Sequence, residues 1–191
     1  MIKNTLLIFD CFGVITSEIA PVWFASRYSP EEAANLKEMY FFGADRGEIS
    51  INELIDNLSD GLNIPRQTII SEWESLFSIN DHLIDLIGKL RVQHSIALLS
   101  NAPRGLVEVI FEKYGLGNLF DKIFISSHYN MAKPDKEFYK LCKDAFPDAK
   151  QVYMIDDNPK NLEGLEALNI KKHLFTSNEA LIHYLHKEKL L

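Results

Sequence analysis

Short apolar runs alternate along this chain with longer stretches in which apolar residues recur every three or four positions. The first run, Thr5-Leu6-Leu7-Ile8-Phe9, is continuous and stops at Asp10. Continuous runs of this length suit strands buried on both faces, as in a parallel sheet. Three more follow the same pattern. Ser95 to Leu99 stops at Ser100-Asn101, Lys122 to Ile125 stops at Ser126-Ser127, and Gln151 to Ile155 stops at Asp156-Asp157. A weaker fifth run covers Lys172 to Phe175. In the first four, polar punctuation falls at the carboxyl end of the strand.

The stretches between these runs read as helices. Arg104 to Tyr114 carries Leu106, Val107, Ile110 and Phe111 at helical spacing, with Gly115 as its stop. Asp135 to Ala145 follows Pro134, Asn158 to Leu168 opens on a capping Asn and Pro159, and Asn178 to Lys187 closes the chain. Strands alternating with helices predict an α/β fold, a doubly wound parallel sheet whose ligands bind beyond the carboxyl ends of its strands. Residues 16–80 break that rhythm. They hold amphipathic helices around Ile19 to Tyr28, Pro30 to Phe42, Ile51 to Leu62 and Arg66 to Phe77, with no strand between them. Asp81 to Val92 then leads back into the second strand. The expected organisation is a core domain of residues 1–15 and 81–191, with a small helical cap, residues 16–80, inserted after the first strand.

Composition narrows the partners. The 191 residues suffice for one ordinary domain with an insertion, and 47% hydrophobic with 25% charged residues is the balance of a globular protein with a core. A net charge of −7 argues against a nucleic-acid surface, which needs clustered Lys and Arg. An anionic substrate must then be drawn in by a local positive feature. Cys11 and Cys142 lie far apart with no CxxC or Cys/His cluster, so neither a disulfide framework nor a zinc site is expected. Met1-Ile2-Lys3-Asn4 runs directly into the first strand rather than into a signal-peptide core, and no apolar run approaches the ~18 residues of a spanning helix. A cytoplasmic chain without membrane contact is expected.

The candidate chemistry sits at the four strand ends. Asp10, in Phe9-Asp10-Cys11-Phe12-Gly13-Val14, is placed as a covalent nucleophile, because a carboxylate attacks without first losing a proton. Gly13 allows the backbone to turn sharply beside it. Ser100-Asn101 offers a hydroxyl and nearby backbone N–H groups. Lys133, in Met131-Ala132-Lys133-Pro134-Asp135, precedes a proline and so belongs in a loop, where its ammonium can neutralise developing negative charge. Asp156 and Asp157, followed by Asn158-Pro159-Lys160-Asn161, repel each other unless a cation is present, and with Asp10 they supply hard oxygen ligands suited to Mg²⁺.

Taken in this order, the four motifs resemble those of the haloacid dehalogenase superfamily over essentially the whole chain. The nearest form is the subgroup with a short helical cap, which includes sugar-phosphate phosphatases and the amino-terminal phosphatase domain of soluble epoxide hydrolases. The resemblance implies a Mg²⁺-dependent hydrolase that acts on a small phosphate ester through an aspartyl-phosphate on Asp10. It further implies that Ser100, Asn101 and Lys133 hold the phosphoryl oxygens. Asp10, Asp156, Asp157 and the backbone carbonyl of Phe12 would form the metal shell, with Asn161 orienting Asp157 or Lys133.

One position departs from the pattern. Two residues after the nucleophile, phosphatases of this superfamily carry a second aspartate that protonates the leaving group; here stands Phe12. Loss of a positioned acid/base costs on the order of 10²–10⁴-fold in rate. A slow or specialised phosphatase is therefore expected, with the proton supplied by substrate or by a cap residue among Glu18, Arg27, Asp45, Arg46 and Glu48. Two alternatives stay open: a catalytically impaired module that binds Mg²⁺ and phosphate, and a 2-haloacid dehalogenase. The acidic pair Asp156-Asp157 speaks against the last, because without a cation it would hinder an anionic haloacid.

Other features have plainer expectations. His183 and His186 belong to a solvated helix face, whereas His128 is a candidate to face the pocket. Trp23, Trp73 and Met39-Tyr40-Phe41-Phe42 are read as cap core, with part of that stretch able to line the pocket. Gly43 and Gly47 around Asp45-Arg46 are read as a cap loop reaching toward substrate.

Overall fold

The computed structural model describes residues 3–191. The expectation for Met1-Ile2 therefore lies outside the described residues. Five strands, β1 (Thr5–Phe9), β2 (Ser95–Ser100), β3 (Lys122–Ile125), β4 (Gln151–Asp156) and β5 (Lys171–Leu174), form one sheet in the order β3-β2-β1-β4-β5, and every neighbouring pair is parallel. The chain builds outward from β1 through β2 to β3, then crosses to the other side of β1 for β4 and β5. The topological switch point thus lies between β1 and β4, where an open α/β sheet leaves its ligand crevice.

Alternating side chains send β1 to β4 into two cores, whereas β5 is largely exposed. Leu7, Phe9, Ile96, Leu98 and Ile155 meet α5 (Asp81–Leu90), α6 (Leu106–Tyr114) and α8 (Asn178–Lys187). Leu6, Ile8, Ala97, Leu99 and Met154 meet α7 (Lys136–Asp144), together with Leu162 and Leu165. Burial on both faces is why these strands read as continuous apolar runs. Cys142 packs in the second core as a small hydrophobe, and both cysteines are free and buried.

Between β1 and α5 the chain inserts α1 (Ala20–Ala25), α2 (Pro30–Asp45), α3 (Ile51–Leu62) and α4 (Arg66–Leu76). Capping boxes at Ser29/Glu32 and Ser50/Glu53 set the starts of α2 and α3. The four helices share a core of their own around Trp23, Phe24, Phe41, Leu54, Leu58 and Ile69. Entry and exit run side by side: Ser17 N–H donates to the carbonyl of Ser78 (2.9 Å), and Asn80 N–H donates to that of Ile15 (2.9 Å).

Several boundaries differ from the sequence reading. Asn158 to Leu168 is not one helix but two short 3₁₀ turns, Pro159–Leu162 and Leu165–Leu168, interrupted by Gly164 at φ +71°. The left-handed glycine cannot sit inside a helix, and it lets the chain wrap tightly around the tip of β4. Gly105 at φ +90° likewise delays α6 to Leu106. The weak fifth strand is Lys171–Leu174, one residue earlier than its apolar pattern suggested. Gly43 lies inside α2 rather than in a loop.

Candidate active site

Pairing of β1 with β4 brings the acids together. Phe9 stands opposite Ile155, so the residues after them, Asp10 and Asp156, emerge side by side, and Asp10 N–H donates to the carbonyl of Ile155 (2.9 Å). Asp10, Asp156 and Asp157 each offer a carboxylate oxygen, and these oxygens lie within 4.8 Å of one another. Among the described residues no other group of His, Cys, Asp and Glu side chains converges this way.

Lys133 closes the cluster from the loop before α7. Its Nζ lies 2.8 Å from Asp10 Oδ2 and 2.6 Å from Asp156 Oδ2. Asn101 fixes that loop: its side chain accepts from Lys133 N–H (2.8 Å) and donates to the Lys133 carbonyl (2.9 Å). Asp156 is held by Asn158 N–H (2.9 Å) and by Asn161 Nδ2, which reaches both its oxygens (3.0 and 3.1 Å). Tyr139 of α7 donates in turn to the carbonyl of Asn161, anchoring this turn to the core. Asn161 therefore orients Asp156, whereas the sequence reading assigned it to Asp157 or Lys133.

Burial acts on these charges. Asp10 is held well above the ordinary carboxylate range, first by burial and opposed by Lys133. Asp157 is also raised, by burial and then by the charge of Asp156. For Lys133 burial works against the ammonium, but Asp10 and Asp156 more than reverse it and keep it charged. Three carboxylates around one lysine leave excess negative charge, which a divalent cation relieves.

The surroundings fit Mg²⁺ and a phosphoryl group. The donors are hard oxygens, the chemistry Mg²⁺ selects. Gly13, at φ +78°, makes room for Asp157: a Cβ built there would stand 2.2 Å from Asp157 Oδ2. Gly13→Ala should therefore displace that carboxylate and weaken Mg²⁺ binding by roughly 10- to 100-fold, measured by titration calorimetry. An unchanged affinity would exclude Asp157 from the metal shell. Ser100 is fully buried and its hydroxyl has no hydrogen-bond partner among the described residues. A hydroxyl left this way is costly unless a ligand oxygen engages it. Ser100 stands behind the site rather than on its wall; Asn101 lines it.

Above the cluster a cavity of about 770 Å³ opens between the inserted helices and the core. Asp10, Phe12, Lys133, Asp157 and Asn161 line its core side. Of the five cap candidates, Glu18, Asp45 and Arg46 reach its wall. Arg27 instead pairs with Glu72 (2.5 Å), and Glu48 lies against Gly43. Arg46 is engaged by Asp135 (2.8 Å), and Ser126 Oγ donates to the carbonyl of Asp45. Gly47 (φ +77°) sits so close to the Ser127 carbonyl that a Cβ would come within 2.3 Å. The Asp45-Arg46-Gly47 segment is thus the seat where the insertion docks on the core, a role its sequence did not announce. Burial lifts the Glu18 carboxyl to about 7, helped by Asp157, and lifts that of Asp45 to about 6.

The histidines stay outside the site. His128 pairs with Glu108 (2.7 Å) on the surface and does not line the cavity. His183 and His186 lie on the exposed face of α8. Trp23 and Phe41 are buried in the core of the inserted helices with Tyr40 and Trp73 packed against it, but Met39 and Phe42 are exposed because they fall on the outer face of α2; Phe41, Phe42 and Trp73 border the cavity.

Residues 5–169 match the haloacid dehalogenase-like hydrolase family, and the chain belongs to that family. Two curated relatives match part of it. The drimenol cyclase drtB of Aspergillus calidoustus is 36% identical over 89 residues, 46% of this chain and 16% of the relative. The pyrimidine 5'-nucleotidase YjjG of Escherichia coli (strain K12) is 31% identical over 88 residues, 44% of this chain and 39% of the relative. The chain thus spans well under two thirds of either relative. Among solved structures, the HAD family enzyme bt-2542 of Bacteroides thetaiotaomicron superposes with a TM-score of 0.77 at 23% identity, over 95% of this chain and 98% of that one. Its complex with magnesium and inorganic phosphate gives 0.73 at 21% identity over 94% and 98%. No helix among the described residues is long and apolar enough to cross a membrane.

Proposed function

We propose that this chain is a Mg²⁺-dependent phosphatase that hydrolyses a small phosphate monoester through an aspartyl-phosphate on Asp10, with α1 to α4 serving as the cap of its active site. The observation that carries the reading is the convergence of Asp10, Asp156 and Asp157 within 4.8 Å beside the buried Lys133. The magnesium and phosphate bound by bt-2542 and the nucleotidase activity in the name of YjjG support it.

A carboxylate oxygen of Asp10 attacks phosphorus, the bond from phosphorus to the ester oxygen breaks, and the leaving alkoxide takes a proton to depart as an alcohol. Water then attacks the same phosphorus, the bond to Asp10 breaks, and inorganic phosphate leaves with the carboxylate restored. Lys133 stays charged against the growing negative charge, and Asn101, which lines the cavity, receives a remaining phosphoryl oxygen, whereas Ser100 stands behind that wall and supports it rather than touching substrate. A bound Mg²⁺, held by Asp10, Asp156, Asp157 and the Phe12 carbonyl, supplies charge neutralisation at those oxygens.

Phe12 cannot move the proton, so Glu18 takes that part. It lines the cavity with Asp10 and Phe12, and a carboxyl near 7 can both give and accept a proton at neutral pH. Glu18→Gln should lower kcat by about 10²–10⁴-fold, and Phe12→Asp placed in that background should restore part of it. An unaltered kcat in the single variant would remove Glu18 from the mechanism.

The test of the whole reading is phosphate release from sugar phosphates, nucleotides and an acyl phosphate, with and without Mg²⁺, using Asp10→Asn as control. Phe12 also favours a second reading, a module that binds Mg²⁺ and phosphate without turning substrate over. Mg²⁺-dependent phosphate binding without release from any ester would select it.

A further inference from the structure

We infer that the substrate is the phosphate monoester of a long aliphatic alcohol rather than of a sugar, an inference that rests on the phosphatase reading. The cavity above the acid cluster, about 770 Å³, offers far more room than a phosphoryl group needs. Much of its wall is furnished by rings and branched aliphatics, Phe41, Ile55, Ile70 and Trp73 from the inserted helices and Leu106 and Ile110 from α6, with Lys37, Glu38 and Glu74 among them. A sugar set against those apolar side chains would give up hydrogen bonds to water that they cannot replace, whereas an alkyl chain would lose nothing.

The rim points the same way. Phe42, Val109 and Tyr114 border this cavity, yet they remain 51%, 63% and 42% exposed. They come from two parts of the molecule with cores of their own, one on α2 and two on α6, and they extend the apolar wall outward. Large apolar side chains gathered at a cavity mouth and left to water mark a ligand surface rather than a core. Lys37, Lys113 and Lys160 border it as well and favour an anionic headgroup. The reaction is unchanged in its balance: ROPO₃²⁻ and water give ROH and HPO₄²⁻, with R the aliphatic chain.

The experiment uses the full chain with Mg²⁺ and a series of butyl, hexyl, octyl and decyl phosphates below their aggregation concentrations, beside glycerol 3-phosphate and glucose 6-phosphate. Phosphate release gives kcat/KM, and tryptophan fluorescence gives affinity without turnover. Each added methylene buried in the cavity should raise kcat/KM roughly two- to fourfold, so octyl phosphate should exceed butyl phosphate by at least about 15-fold. Phe42→Ser and Val109→Ser, both at exposed positions, should each flatten that slope. A flat series, or sugar phosphates turned over faster than every alkyl phosphate, overturns the inference while leaving the phosphatase reading standing. If no ester is hydrolysed, the phosphatase reading fails, and the affinity series alone decides the inference: a rise with chain length upholds an apolar-chain site, and no rise removes it.

Discussion

Replacing Asp10 by Asn should abolish phosphate release while leaving the fold in place. The amide is nearly the same size as the carboxylate, and the backbone bond from Asp10 N–H to Ile155 does not involve the side chain. It lacks the negative charge that attacks phosphorus, and it is a poorer metal ligand. Loss of an attacking group costs on the order of 10⁴–10⁶-fold in kcat. The substitution also removes a buried carboxylate whose ionisation burial opposes, so metal-free stability should not fall. The check is a pair of measurements on one preparation: phosphate release with saturating Mg²⁺, and thermal unfolding in EDTA. Turnover within tenfold of the parent would dismiss the covalent route through Asp10.

Lys133→Met should produce the largest loss of stability. Lys133 is 4% exposed and lies against two buried carboxylates, so its removal leaves Asp10 and Asp156 facing each other without a counter-charge. Breaking a buried ion pair from one side costs about 3–5 kcal/mol. In a chain of this length that is a fall in Tm of roughly 10 °C. The sign of its pH dependence follows from Asp10, whose carboxyl is raised in the folded protein. Such a group favours the folded state below its unfolded pKa and loses that contribution as pH climbs through the folded value. Without the lysine the folded value rises further. The deficit should therefore be largest at neutral pH and shrink toward pH 5, as uptake of a proton removes the uncompensated charge. Mg²⁺ should recover part of the loss at neutral pH by replacing the missing positive charge. Calorimetry in EDTA and in Mg²⁺ at both pH values measures all of this. A Tm within 2 °C of the parent in EDTA at neutral pH would show that Lys133 does not hold the site together.

Both results depend on residues that were visible before any coordinates. Asp10 and the Asp156-Asp157 pair end apolar runs, and a buried parallel strand has few ways to carry a charge except at its tip, whereas Lys133 is marked by its place in a loop before a proline. Asn158, Pro159 and the spacing of Leu162 and Leu165 imitate a helix start, so the sequence of Asn158 to Leu168 reads as one helix where the fold has two 3₁₀ turns. Gly164 overrides them by taking a left-handed backbone that propensity alone does not reveal. The choice among Glu18, Arg27, Asp45, Arg46 and Glu48 was equally closed to sequence, since which side of a cap helix meets the core depends on how the two bodies dock. The clamp of Arg46 on Asp135 and the approach of Gly47 to Ser127 hold that docking, and they link positions 89 and 80 residues apart.

The sequence by itself determined the strand-and-helix order, the helical insertion and the identity of the charged groups at the strand ends. Those properties are local, written in periodicity and in the punctuation of apolar runs. Only the tertiary structure decided that β4 lies beside β1, so that Asp10 and Asp156 meet, and that Asn161 serves Asp156. It also decided that the inserted helices and α6 together wall a cavity. Such facts belong to pairs of distant residues, and their energies exist only once the chain has closed on itself.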